Sequence, residues 1–154
     1  TRDGIRVVEF NARFGDPETE VVLPRLESDF FEACMAVAEG REPGPLRWRD
    51  EATLGIVLAS EGYPGPCEKG AEIRGAEDTG ALVYHMGTAL RDGRLVTAGG
   101  RVLIVVGRGA TLAEARDRAL EAAGRIGCDR LFYRRDIGAQ ALGGKKLLPL
   151  RETD

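Results

Sequence analysis

The chain has 154 residues, 43% of them hydrophobic and 31% charged, with a formal net charge of −3. That is enough apolar material for one small domain plus part of another, and the slight acidity excludes the basic field that nucleic-acid binding needs. Uninterrupted apolar runs such as Val102 to Val106 fall far short of the ~20 residues that span a bilayer, and no signal-peptide core is visible, so a cytoplasmic protein with small-molecule or protein partners is expected.

In chain order, the β-branched run Ile5 to Val8, after the Asp3-Gly4 turn, predicts a strand leading into EFNARFGDPE, Glu9 to Glu18. Side chains alternate along a strand. Val8, Phe10, Ala12 and Phe14 are therefore expected on a dry face, with Glu9, Asn11 and Arg13 on the other, about 7 Å apart per step. Carboxylate and carboxamide oxygens are the hard ligands that magnesium takes alongside substrate phosphates. A guanidinium adds a planar fork for phosphate or carboxylate. Any one of these residues at a strand end is more often a solvated group, but the three in a row suit a metal-nucleotide site.

Asp16 is placed to cap a helix, with Pro17 at its first position and Glu18 and Glu20 in its first turn, which by itself explains those acids. Pro24 breaks that helix. A second start at Ser28-Asp29 opens a stripe of Phe30, Phe31, Cys34, Met35, Val37 and Ala38 that reads as core and stops at Gly40. Cys34, Cys67 and Cys128 lack a CxxC pair and are expected to be reduced thiols, Cys34 inside the core. Arg41 to Asp50, with two prolines, a glycine and five charges, has the composition of a linker, which Trp48 is expected to pack onto the body. Residues 1–40, 41–50, 51–142 and 143–154 are thus expected as the end of one domain, a linker, a second domain and a frayed tail.

The second domain reads as a meander of strands with one helix: strands at Thr53 to Ala59, Ala71 to Arg74 and Leu82 to Thr88, then a hairpin turn at Asp92-Gly93. Leu95 to Ala98 and Arg101 to Val106 are expected to pair around Gly99-Gly100, where missing side chains indicate a bulge or the close approach of a ligand. Thr111 and Glu114 form a capping box for a helix whose inner face is Leu112, Ala115, Ala119, Ala122, Ala123 and Ile126. Gly107-Arg108-Gly109 lacks the third glycine of a dinucleotide loop and reads as an ordinary loop. His85, the single histidine, suits a core or hydrogen-bonded role better than catalysis. An arginine on a surface strand such as Arg101 is unremarkable by itself.

The segment Glu9 to Glu18 resembles the carboxy-terminal metal motif of the ATP-grasp ligases, in which a Glu and an Asn two residues apart hold the magnesium ions on ATP. The continuation RFGDPE, absent from relatives such as biotin carboxylase, is similar to the phosphoribosylamine–glycine ligase family. GYPG at Gly62 to Gly65, HMGT at His85 to Thr88, TAGGRVL at Thr97 to Leu103 and RRDIG at Arg134 to Gly138 resemble that family's later landmarks in order and spacing. The resemblance implies an α+β chain, the end of an ATP-grasp domain followed by a small, mostly antiparallel β domain with a packed helix. It implies metal ligation by Glu9 and Asn11, a catalytic Arg13, and substrate contacts from Asp16, Glu18, Gly99, Gly100 and Arg101. ATP with Mg2+ or Mn2+ would be the cofactors, and glycine and 5-phosphoribosylamine the substrates. The ATP-grasp body and substrate domain that such a ligase carries upstream are not matched here, so the piece is expected to be inactive alone. The competing readings are a non-catalytic carboxy-terminal module and another ATP-grasp carboxylate–amine ligase.

Overall fold

The computed structural model describes Gly4 and residues 6–143. Its elements are helix α1 (Thr19–Val22), a 3-10 turn at Leu23–Arg25, helix α2 (Phe30–Ala38), strands β1 (Ala52–Ser60), β2 (Leu82–His85), β3 (Thr88–Arg91), β4 (Arg94–Thr97) and β5 (Arg101–Gly109), helix α3 (Leu112–Arg125) and strand β6 (Leu131–Phe132). β2, β5, β1 and β6 lie side by side in an antiparallel sheet, and β3 and β4 form a separate hairpin. The architecture is α+β, as the sequence implied.

The run Val102 to Val106 explains why β5 lies inside the sheet. Each of its five residues is at most 1% exposed, and an apolar strand without alternation belongs where both faces are covered. One face, Leu103 and Val105 with Leu54, Ile56 and Leu58 of β1, carries α3 through Ala115, Ala119, Ala122 and Ala123. The small stripe lets the helix approach closely: a Cβ at Gly107 would lie 2.1 Å from the Ala115 carbonyl oxygen. On the opposite face, Gly55 and Ile104 lie under Val21 of α1, and the Thr53 hydroxyl donates to the Val21 carbonyl at 2.6 Å. Burial of each branched side chain here contributes roughly 1.5–3 kcal/mol.

Capping follows the sequence closely at two helices. Asp29 accepts from the Phe31 and Glu32 amides, and Thr111 from the Glu114 amide, while the Glu114 carboxylate returns to the Ala110 amide. The hairpin turn has Asp92 and Gly93 both at positive φ, 50° and 74°, as a two-residue turn between twisted strands requires.

Other expectations fail for physical reasons. Residues 6–12 form no strand, and Ile5 lies outside the described residues. Val8 and Phe10 are 96% and 90% exposed, so their face is not dry. A strand exists only by sharing hydrogen bonds with a neighbour, and no pairing with this segment occurs among the described residues. The α2 stripe is likewise not core: Phe31, Cys34, Met35 and Val37 are exposed, and Ala36 is the buried residue of that helix. Ala71 to Arg74 makes isolated bridges to Val96 and Gly127 rather than a strand. Leu82 to Thr88 divides at Met86-Gly87, and β4 pairs with β3 rather than β5. Gly107 to Gly109 ends β5 instead of forming a loop. Within residues 41–50, expected as a linker, Trp48 forms a bridge with Leu26, flanked by Glu27 N–H to the Arg47 carbonyl at 2.9 Å and Arg49 N–H to the Arg25 carbonyl at 2.7 Å. The expected tail lies outside the described residues except for Gly143, which is exposed.

Gly107→Ala should overpack the α3–β5 contact and lower the melting midpoint by roughly 4–12 °C, corresponding to about 1–3 kcal/mol. Gly44→Ala, where an added Cβ meets nothing within 4 Å, is the control and should melt as the parent does. Equal melting of the two variants by circular dichroism would refute the close-packing account.

Candidate functional site

A cleft of about 440 Å³ is lined by Glu9, Asn11, Arg13, Phe14, Gly15, Asp16 and Glu18. Although these residues form no strand, the alternation persists locally: the Asn11 carboxamide N–H donates to Glu9 Oε1 at 3.1 Å. That bond orients the carboxamide and leaves its oxygen and the second carboxylate oxygen as acceptors. Two oxygens suit a cation that completes its shell with phosphate and water, as magnesium does. No cluster of three or more His, Cys, Asp or Glu that would hold a metal by itself occurs among the described residues.

The loop after Arg13 closes on itself. Arg13 donates to the Phe14 carbonyl at 3.4 Å, and a Cβ at Gly15 would lie 2.1 Å from Glu18 Oε2 and 3.2 Å from an Arg13 guanidinium nitrogen. The Glu18 carboxylate and the Arg13 guanidinium therefore both border the bare Cα of Gly15. The Thr19 amide and hydroxyl both donate to the Gly15 carbonyl, the amide at 2.9 Å. Phe14 sets its ring edge-on to Phe30 of α2, with centroids 5.6 Å apart. Asp16 does not cap α1. Glu18 occupies the cap position without a side-chain bond, because Asp16 faces β5: Arg101 donates to the Asp16 carbonyl at 2.7 Å and pairs with its carboxylate at 3.4 Å.

Arg101 thus joins the motif loop, whereas Gly99 and Gly100 are occupied with backbone packing. Ser60 donates through its hydroxyl to the Gly99 carbonyl and through its amide to the Gly100 carbonyl, each at 2.8 Å. A Cβ at Gly87 would lie 2.8 Å from the Gly99 Cα, and one at Gly100 would lie 2.5 Å from the Tyr63 ring. The bulge expected at Gly99-Gly100 does not form, since β4 and β5 do not pair; a bulge lies instead between β1 and β5, where Leu58 pairs with Leu103 and Ala59 with Arg101, leaving Val102 as the extra residue. GYPG, HMGT and TAGGR therefore meet at one end of the sheet, against the loop that carries Asp16. Sequence reasoning missed Tyr63 and Ser60, although Tyr63 stands within the GYPG landmark. His85 is exposed and hydrogen-bonded to the Thr88 hydroxyl at 3.0 Å, not core.

A larger recess of about 680 Å³ lies beside the other end of β5 and the start of α3. Its arginines are engaged: Arg108 with Glu51 at 2.8 Å and Arg118 with Glu114 at 2.6 Å. Burial pushes the Tyr84 phenol above its usual range, Glu20 adds to that effect, and Arg108 opposes it. The RRDIG residues close the fold: Arg116 donates to the Ile137 and Arg135 carbonyls at 2.9 and 2.6 Å, and a Cβ at Gly138 would lie 2.5 Å from Leu54. Within that segment the Arg134 guanidinium, bonded to Asp136 at 2.9 and 2.6 Å, holds the carboxyl below its ordinary range.

Since the folded carboxyl is the stronger acid, the pair favours the folded state above the unfolded pKa of Asp136, and this contribution disappears as the pH falls through the folded value. Arg134→Gln should return the Asp136 titration, followed by carboxyl NMR, upward toward the usual carboxylate range. An unmoved titration would show that the pair is not formed in solution.

The profile of the family described as phosphoribosylglycinamide synthetase, C domain, matches residues 53–140. A phosphoribosylamine–glycine ligase from Halalkalibacterium halodurans is 50% identical over 92% of this chain and 33% of its own length. One from Streptomyces coelicolor is 48% identical over 93% and 36%. A chicken protein named trifunctional purine biosynthetic protein adenosine-3 is 45% identical over 92% of this chain and 15% of its own. The crystal structure of phosphoribosylamine–glycine ligase from Thermotoga maritima superposes with a TM-score of 0.77 at 41% identity, covering 85% of this chain and 33% of that one. The chain spans about a third of the length of the ligases it matches.

Proposed function

Because the chain belongs to the phosphoribosylglycinamide synthetase C-domain family, we propose that it is the carboxy-terminal third of a cytoplasmic ligase. That enzyme joins glycine to 5-phosphoribosylamine, with cleavage of ATP to ADP and phosphate, to give glycinamide ribonucleotide in purine biosynthesis. The observation that carries the reading is the Glu9–Asn11 pair at 3.1 Å, sharing one cleft with Arg13. No helix among the described residues is long and apolar enough to cross a membrane, which accords with the proposed location.

The reaction brings two anions together: the glycine carboxylate attacks the terminal phosphoryl group of ATP, releasing ADP, and the amine then displaces phosphate from the acyl phosphate and loses a proton. Glu9 and Asn11 supply the oxygens for magnesium or manganese, which when bound offsets charge on the phosphates of ATP. Arg13 offers a fork to the oxygens of the transferred group and holds them in line. Asp16 and Glu18 form the loop that meets the substrates, while Gly99, Gly100 and Arg101 form the wall behind it. The partner assigned to the exposed apolar side chains of residues 7–14 and of α2 is the upstream two-thirds of the ligase. Val8, Phe10 and Phe31, 96%, 90% and 68% exposed, are the kind of surface an adjoining sheet and domain cover.

In the complete ligase, Glu9→Gln and Asn11→Ala should each lower kcat by about two orders of magnitude, with the deficit largest at limiting magnesium. Near-parental turnover of both would remove the metal assignment. Arg13→Lys should be comparably severe, since an ammonium cannot reproduce a bidentate fork. Full activity in that variant would make Arg13 structural.

The 154 residues by themselves should show no heat of Mg-ATP binding at sub-millimolar concentration and no turnover, because two protein oxygens depend on nucleotide phosphates for the rest of the metal shell. Tight binding or turnover by the isolated chain would overturn the fragment reading.

A further inference from the structure

Arg101 and Asp16 lie 85 residues apart in sequence, and their contact bonds an inner strand of the sheet directly to the loop that carries Arg13 and Glu18. We propose that Arg101 is a positioning residue: it acts through Asp16 to fix the loop from Arg13 to Glu18, rather than by touching a substrate. The inference rests on the assignment of the Glu9 to Glu18 segment as the reaction site.

Three observations support it. First, Arg101 is anchored on a rigid base. It opens β5 beside the bulge at Leu58-Ala59, next to Gly99 and Gly100, which Ser60, Tyr63 and Gly87 hold from three sides. Its side chain is only 36% exposed, although it stands at a strand end. Second, one guanidinium nitrogen serves both the carbonyl, at 2.7 Å, and the carboxylate, at 3.4 Å, of a single residue. It therefore restrains the peptide plane as well as the side chain of Asp16, which a diffuse ion pair would not do. Third, Asp16 sits between the two ends of the closed loop. Gly15 accepts from Thr19, and the Glu18 carboxylate and the Arg13 guanidinium both border its bare Cα. Asp16, the next residue, is thus placed to hold Gly15 and with it the space that these two side chains share. The segment before it is exposed and pairs with no strand among the described residues, and Phe14, edge-on to Phe30, links it to α2.

A positioning residue and a substrate ligand leave different signatures. Loss of positioning lowers kcat with each KM little changed, because substrates still bind but the reacting groups are misplaced; loss of a substrate contact made equally in the ground and transition states raises KM for that substrate. Hydrogen exchange separates the two without any activity. The Thr19 amide, bonded to the Gly15 carbonyl, and the Val22 amide, bonded to the Glu18 carbonyl, report closure of the loop. The amides of Val105 and Ile104, inside the sheet, report global stability.

Arg101→Ala in this chain should speed exchange at Thr19 about tenfold while leaving Ile104 and Val105 unchanged, with Arg101→Lys intermediate. In the complete ligase the same substitutions should lower kcat in the same order, with every KM within about twofold of the parent. Unchanged exchange at Thr19, or a raised KM for one phosphate-bearing substrate with normal kcat, overturns the positioning role. Faster exchange with normal kcat also overturns it, provided that Glu9→Gln is inactive. If neither Arg101→Ala nor Glu9→Gln affects turnover, the assignment of the segment as the reaction site fails, and the role proposed for Arg101 fails with it.

Discussion

The close packing of α3 on β5 is the constraint from which the rest of the molecule is arranged. An apolar strand covered on both faces needs a helix that can come near, and the alanine stripe of α3 over Gly107 provides that approach. Depth in the sheet then fixes both ends of the strand. At one end Arg101 emerges beside the bulge, and at the other Gly109 fits beneath the first turn of α3, where a Cβ would lie 2.9 Å from the Ala115 amide. A strand with both ends and both faces determined places Arg101 as firmly as a side chain on an open strand can be placed.

Around that end of β5 the chain relies on glycine where another residue would fill the space. Gly87 against Gly99, and Tyr63 against Gly100, bring backbone segments from different parts of the chain to distances no Cβ would allow. The result is a junction of three landmarks stabilised by backbone hydrogen bonds, including Ala98 N–H to the Gly87 carbonyl at 2.7 Å and Gly87 N–H to the Val102 carbonyl at 3.1 Å. Such a junction resists shear because it contains few rotatable groups. That property matters more for holding a loop than for binding a ligand through glycine itself.

What was legible in the sequence divides along local and non-local lines. The helix caps at Asp29 and Thr111, the Asp92-Gly93 turn and the inner face of α3 depend on residues within a few positions of one another, and all four form as read. The strand at Ile5 to Val8 and the buried stripe of α2 depend on what lies beside them, and periodicity reports only that a residue is apolar, not that a partner is present. Asp16 shows the same limit on a smaller scale. Its position before Pro17 and two acids fits a cap, but an arginine remote in sequence and near in space competes for it and prevails. Gly107 and Gly109 were misread because their freedom serves close approach of a helix rather than a turn. Within the site, alternation along an expected strand put Glu9 and Asn11 on one face, while the bond between them and the link from Asp16 to Arg101 required the fold.

The placement of the charged groups separates folding from chemistry. Arg116 on the RRDIG carbonyls and Arg125 on the Thr79 carbonyl tie α3 to the segments around the sheet, and their loss would be felt throughout it. Glu9, Asn11 and Arg13 are exposed, on a segment whose apolar side chains are exposed too, and the core of the sheet does not include them. A carboxylate cannot be buried without a partner except at a large desolvation cost, so the metal site proposed for these residues would stay open until its ligand is bound. The sheet can therefore be optimised for stability with little consequence for the oxygens that would hold a metal. Arg101 is the point where that separation ends, since it belongs to the rigid sheet by its backbone and to the exposed loop by its guanidinium.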